Sequence, residues 1–235
     1  MNAAGANLNR EWCDSNILRV PSSSSSFKDD DENEDNITTS TTPISYPAPS
    51  LERSPEVYYV LEKMKQTGCD IFCDIHGDEE IPYNFLAEAC VPNFGTGSRL
   101  QSLHGAFLAA YCRANSDMQQ TYAYEPSVYD TRTNPPMNIA NDHISDRFQC
   151  LAMTLEMPFK DCWSNSDPLR GWSPSRSQAL GASLIEPLVY IEPYLRRDDD
   201  NSDNDNDAIA TTFFAKHFTD QDRYILPTSQ YQPKT

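Results

Sequence analysis

Two short apolar runs, each led by a helix-forming stretch, constrain the architecture most. Residues 69–75 read CDIFCDI and lead into His76-Gly77, and residues 151–157 read LAMTLEM and lead into Pro158. The first has the short, apolar, β-branched character of a fully buried strand. Before it, Ser54 is expected as N-cap, Pro55 as the first helical residue and Gly68 as the stop. Val57, Val60, Leu61 and Met64 would share one face of that helix. A second helix, from about Ser98 to Ala114, would turn Leu100, Leu103, Phe107, Leu108 and Tyr111 inward, and a short one around 139–148 precedes the second strand. A last helix would start at Ser173-Pro174 and reach about Leu195. Leu180, Leu184, Leu188 and Ile191 face its core side, with Pro187 and Pro193 placed to kink or shorten it. Helix followed by buried strand is the mark of an α/β fold.

The mean hydropathy of -0.63 is low for a globular chain. Two segments account for much of it: SSSSSFKDDDENEDNITTSTTP at 22–43 and DDDNSDNDND at 198–207. Together they hold twelve carboxylates and one lysine, most of the net charge of -17. Neither can bury enough apolar surface to offset its ordering entropy, so disorder is expected over about 20–50 and over 196–207, with 208–235 as a tail. Such charge argues against a phosphate-backbone partner, so no nucleic acid is expected. Calcium binding by the second run is not expected either: it lacks the glycine and terminal glutamate of an EF-hand loop. No apolar stretch approaches 18 residues, so no membrane partner is expected. Seven cysteines with no C-x-x-C pair and no leader segment suit reduced thiols and a cytoplasmic location. Cys69 and Cys73 would share one face of the first strand as small buried hydrophobes.

Three strings carry candidate chemistry. His76 ends the first strand, the position where open α/β sheets bind ligands, and Gly77 would let the backbone turn away at once. Asp74, Asp78, Glu79 and Glu80 surround it and could orient the imidazole. His76 and Glu79 also form a bare H-x-x-E pair, which would need His104, His143 or His217 as a further metal ligand. Glu156 lies within the second strand, so it is either a buried base or the partner of Lys160 or Arg147. Asn9-Arg10, framed by Leu8 and Trp12, offers a planar fork for a carboxylate, or an internal Arg-Glu pair.

In order, GANLNREW at 5–12, SPEV at 54–57, DIHGDEEIPYNF at 74–85, TLEMPFKD at 154–161 and GWSPSRS at 171–177 resemble the zinc carboxypeptidases. The match is nearest to the cytosolic carboxypeptidase branch and its bacterial relatives. The resemblance implies a three-layer α/β/α sandwich with a mixed, mostly parallel sheet, formed by residues 1–19 and 51–195. It implies a Zn2+ ion held by two histidines and a glutamate with one position open, and a water made nucleophilic by that metal. By motif, His76 matches the later zinc ligand, Glu156 the general base, and Asn9 and Arg10 the pair that grips a substrate's terminal carboxylate. Glu79 is then not expected on the metal. The implied partners are peptide or protein C-terminal tails. The branch is associated with terminal glutamate, for which Arg147, Lys160 or Arg132 could supply the charge, with Tyr122, Tyr124 or Tyr129 as a capping residue. The early H-x-x-E motif, a second arginine and the first strands find no match here, so the chain reads as an N-terminally truncated form. A non-catalytic tail-binding relative is the alternative.

Overall fold

The computed structural model describes residues 1–13, 17–19, 44–46, 48–95, 97–124 and 137–195. They fall into two units, Met1–Lys65 with Met137–Ala140, and Gln66–Pro136 with Asn141–Thr235.

In the first unit a 3-10 turn, Leu8–Arg10, precedes an antiparallel pair of short strands, β1 (Ile17–Arg19) and β2 (Ile44–Tyr46). The segment expected to be disordered over 20–50 therefore contains a strand, because Ile44 and Tyr46 lie beyond its acidic stretch; residues 20–43 lie outside the described residues. Helix α1 (Pro55–Thr67) starts at the expected place, with the Ser54 carbonyl accepting from the Tyr58 amide. Val57 and Leu61 are buried, whereas Val60 is exposed, at the edge of the apolar stripe. Buried Glu11 ties down the start of the helix. Arg53 Nε donates to both of its oxygens at 3.0 Å, and the Ser54 hydroxyl donates to Oε2 at 3.4 Å.

The second unit is built on a three-stranded sheet. Its elements are β3 (Ile71–Asp78), β4 (Phe85–Glu88), α2 (Arg99–Ala114), α3 (Ala140–Phe148), β5 (Leu151–Pro158), α4 (Pro174–Ser183) and α5 (Ile185–Ile191). β5 is central, parallel to β3 and antiparallel to β4. The α/β class with a mixed sheet holds, with one ladder of each kind. The period-2 pattern of β5 divides as the sequence suggests: Leu151, Met153 and Leu155 enter a core with Leu103, Phe107 and Tyr111 of α2, Leu180 of α4 and Ile191 of α5. Glu156 is on the other face.

Two expectations are corrected here. β3 starts two residues later than expected and continues through Asp78, so His76 lies inside the strand and Gly77 remains extended opposite Met157. A Cβ there would meet the ring of Phe159, an exposed side chain that would have to swing aside. Nor is β3 fully buried. Among the described strands it is at the edge of its sheet, and Ile75 is 55% exposed. The last helix is interrupted as its prolines led one to expect, with a break at Leu184. Pro187 cannot donate to the carbonyl four residues earlier and its ring crowds that turn, so the chain restarts as α5 with Pro187 in its first turn. Pro193 sits in a closing 3-10 turn, Glu192–Tyr194.

Gly171 has φ of 64°, and a Cβ there would press on the Lys160 carbonyl. Gly171→Ala is expected to cost about 2 kcal/mol from the left-handed backbone and the backbone contact together, read as a lowered urea midpoint with unchanged m-value.

Candidate active site

The parallel ladder sets His76 directly against Glu156, near the carboxyl ends of β3 and β5. Strand alternation puts both on the sheet face opposite the α2 core. His76 Nδ1 lies 3.5 Å from Glu156 Oε1, and Nε2 lies 2.9 Å from Asp74 Oδ2. Asp74 is two residues before His76, hence on the same face, and the ring is gripped from both sides. Glu156 is 5% exposed, and its Oε2 has no hydrogen-bond partner among the described residues. Among the described residues Glu156 pairs with His76 rather than with Lys160 or Arg147. Arg147 lies over the ring of Phe148, just ahead of the amino end of β5, and burial lowers its pKa.

Hydrogen bonding to Asp74, and then to Glu156, pushes His76 up to about 10. The imidazole is a cation at neutral pH in the metal-free chain. A folded value above the unfolded value of about 6.5 stabilises the fold fully below that pH. The contribution is lost as pH rises through about 10. A histidine resonance titrating near pH 10, with stability falling over the same window, is the expected NMR and urea result; His76→Gln should flatten that dependence.

Aromatic residues border the pair. Phe85 of β4 is the register partner of Glu156, and the Tyr124 ring meets Phe85 edge-on at 4.9 Å. Burial, then the charges of Glu156 and Asp78, raise the Tyr124 hydroxyl pKa. Tyr83 stacks on Tyr122 at 4.3 Å. Gln119 pins this segment, accepting from the Thr121 and Tyr122 amides and donating to the Asn84 carbonyl. Asp78 accepts from the Glu80 and Ile81 amides and holds the turn after β3, while Glu79 and Glu80 are exposed.

Asn9 and Arg10 belong to the first unit. Asn9 Oδ1 accepts from the amide of Ala140, which belongs to the same unit, at 2.9 Å. Arg10 is exposed and donates to the Asn9 carbonyl at 2.7 Å. The carboxylate buried nearby in sequence, Glu11, pairs with Arg53 instead. His104 is buried against Phe94 in α2 and His143 is buried in α3; neither joins His76 in a metal-holding group. Arg132, Tyr129, His217 and both acidic runs lie outside the described residues.

The α/β unit with a histidine and a buried glutamate facing each other across a parallel ladder has the fold of the metallo-carboxypeptidases. The particular relatives are bacterial. The metallo-carboxypeptidase from Pseudomonas aeruginosa, solved in complex with (2-guanidinoethylmercapto)succinic acid, is 34% identical with a TM-score of 0.62, covering 83% of this chain and 42% of that one. The metallo-carboxypeptidase from Burkholderia cenocepacia is 36% identical with a TM-score of 0.60, covering 82% and 41%. An uncharacterized protein of Zymomonas mobilis is 33% identical over 191 residues, 81% of this chain and 40% of its own length. The chain thus spans about two fifths of the length of these relatives. No protein-family model matches it.

These relatives imply a metal. Among the described residues, no group of three or more His, Cys, Asp or Glu side chains could hold one. His76 is a single imidazole already bonded to two carboxylates. The donor set does not fit a catalytic zinc, which needs three protein ligands.

Two contributors were under-read in the sequence. Asp74 was grouped with the surrounding acids, although the i-2 spacing on a strand singles it out as the one sharing the histidine's face. Phe85 had no local signal, because its place opposite Glu156 depends on the β4-β5 register.

Proposed function

We propose that this chain carries part of the active site of a zinc-dependent carboxypeptidase that removes residues from peptide or protein C-terminal tails. The observation that supports it best is the opposition of His76 and Glu156, with Glu156 Oε2 buried and unpartnered. In this reading Glu156 accepts the proton of the attacking water and returns it to the leaving amine. Arg10, with Asn9 beside it, binds the terminal carboxylate through its planar fork. His76, oriented by Asp74, would be the one imidazole this chain offers the metal, and Tyr124 would border the substrate. Terminal glutamate and a cytoplasmic setting are the candidate specificity and location. In this reading the remaining zinc ligands are not among the described residues.

Zinc content tests the reading. The chain expressed alone should hold zinc weakly, and the chain expressed in frame with its upstream coding sequence should hold one zinc per molecule and release C-terminal residues. Absence of an H-x-x-E motif in that upstream frame, or no peptidase activity in the extended protein, would favour a non-catalytic tail-binding protein.

A further inference from the structure

We propose that the rim of the His76–Glu156 face selects cationic tails, binding Lys or Arg side chains carried just ahead of the terminal residue. This rests on reading that face as the place where a C-terminal tail enters. The rim is the β3–β4 connection together with the start of the loop after β5. Residues 74–85 and 154–163, which run through the carboxyl ends of β3 and β5, carry Asp74, Asp78, Glu79, Glu80, Glu156 and Asp161 against Lys160 and His76. Part of that charge is answered locally. Arg176 Nη1 lies 3.5 Å from Asp161, and His76 sits between Asp74 and Glu156. Glu79 and Glu80 are exposed.

The rim is set before any ligand arrives. Asp78 accepts from the Glu80 and Ile81 amides, which fixes the course of the connection. The Trp163 amide donates to the Pro82 carbonyl at 2.8 Å, so the loop after β5 is stitched to it. Rings stand at this junction. Tyr83 stacks on Tyr122 at 4.3 Å and meets the exposed Trp163 nearly at right angles, at 6.1 Å. The chemistry is one-sided. Ionised carboxylates only accept hydrogen bonds, and aromatic faces attract cations. Glu156 Oε2, buried and without a hydrogen-bond partner among the described residues, adds an acceptor on the same face that an incoming donor would satisfy. An ammonium or guanidinium brings donors and positive charge and no acceptor. A run of glutamates ahead of the last residue would instead set like charges against Glu79 and Glu80.

The probes are two hexapeptide amides, one rich in lysine and one in glutamate, titrated into the metal-free 235-residue chain at low salt and followed by NMR. The lysine peptide should bind at least about 10-fold more tightly, shift the Trp163 indole and His76 ring resonances, and be released by about 0.5 M salt. Glu79→Gln with Glu80→Gln, both at exposed positions, should weaken it about 5-fold or more. Equal affinity for the two peptides overturns the proposal. So does lysine-peptide binding unchanged in the double variant, which would place the peptide on the acidic runs at 22–43 and 198–207. Because both probes end in an amide, their binding needs neither carboxylate capture nor cleavage. The peptidase reading can therefore fail on zinc content or turnover while this selectivity stands, and the selectivity can fail while cleavage stands.

Discussion

Arg176→Ala is expected to destabilise the chain by about 3–5 kcal/mol, a fall in urea midpoint on the order of 1–3 M. The guanidinium forks onto Asp117, Nε to Oδ2 at 3.0 Å and Nη2 to Oδ1 at 2.6 Å, with both side chains largely buried. It also donates to the Gly171 carbonyl at 3.1 Å and the Asn165 carbonyl at 2.7 Å, and lies over the Trp172 ring. One side chain therefore joins the segment after α2 to the loop between β5 and α4. Alanine leaves the Asp117 carboxylate buried without its countercharge, which costs more than the net worth of the pair. Asp117 has a further role: its carbonyl accepts from Asn84 Nδ2 at 3.1 Å, and Asn84 leads directly into β4. Arg176→Lys keeps the charge but not the fork and should fall between wild type and alanine. Adding Asp117→Ala to Arg176→Ala should cost less than the sum of the single changes. A midpoint for Arg176→Ala within experimental error of wild type would remove the pair from the fold's supports.

If the proposed function holds, Glu156→Gln is expected to lower kcat by about 10²–10⁴ while leaving KM and folding nearly unchanged. The amide keeps the carboxylate's shape and one oxygen but takes no proton. The same substitution has a readout in the chain alone. Glu156 is one of two carboxylates that hold His76 at about 10, the other and larger influence being Asp74. The His76 resonance in Glu156→Gln should therefore titrate lower than in wild type and still above an ordinary histidine. An unchanged His76 titration would mean the two side chains do not interact in solution.

Most of the helices were legible because local chemistry sets them. Ser98 and Ser173 accept from the amides three residues on, and Gly68 closes α1 with φ of 73°. The apolar face of α2 and the alternation along β5 were legible for the same reason, since one side of each is buried. Less legible was whatever depends on a partner strand. Sequence alone made β3 a buried strand, yet its place at the sheet edge exposes Ile75. Gly77 read as a turn; it stays extended, paired with Met157, and the Phe159 ring that lies against it is 82 residues away in sequence. His76 and Glu156 were legible singly, each with a structural alternative, and the ladder register is what sets them face to face. The Arg176–Asp117 pair had no signal at either residue, since 59 residues separate them.

The most direct measurement compares two peptides that differ only at the terminus, one a free carboxylate and one an amide, with the zinc-loaded protein extended by its upstream coding sequence. If the proposed function holds, the extended protein should release the last residue of the free acid, leave the amide intact, and lose at least about 100-fold in rate in Glu156→Gln with zinc still bound. Equal cleavage of both peptides, or full activity in Glu156→Gln, would contradict a metallo-carboxypeptidase site built on the His76–Glu156 pair.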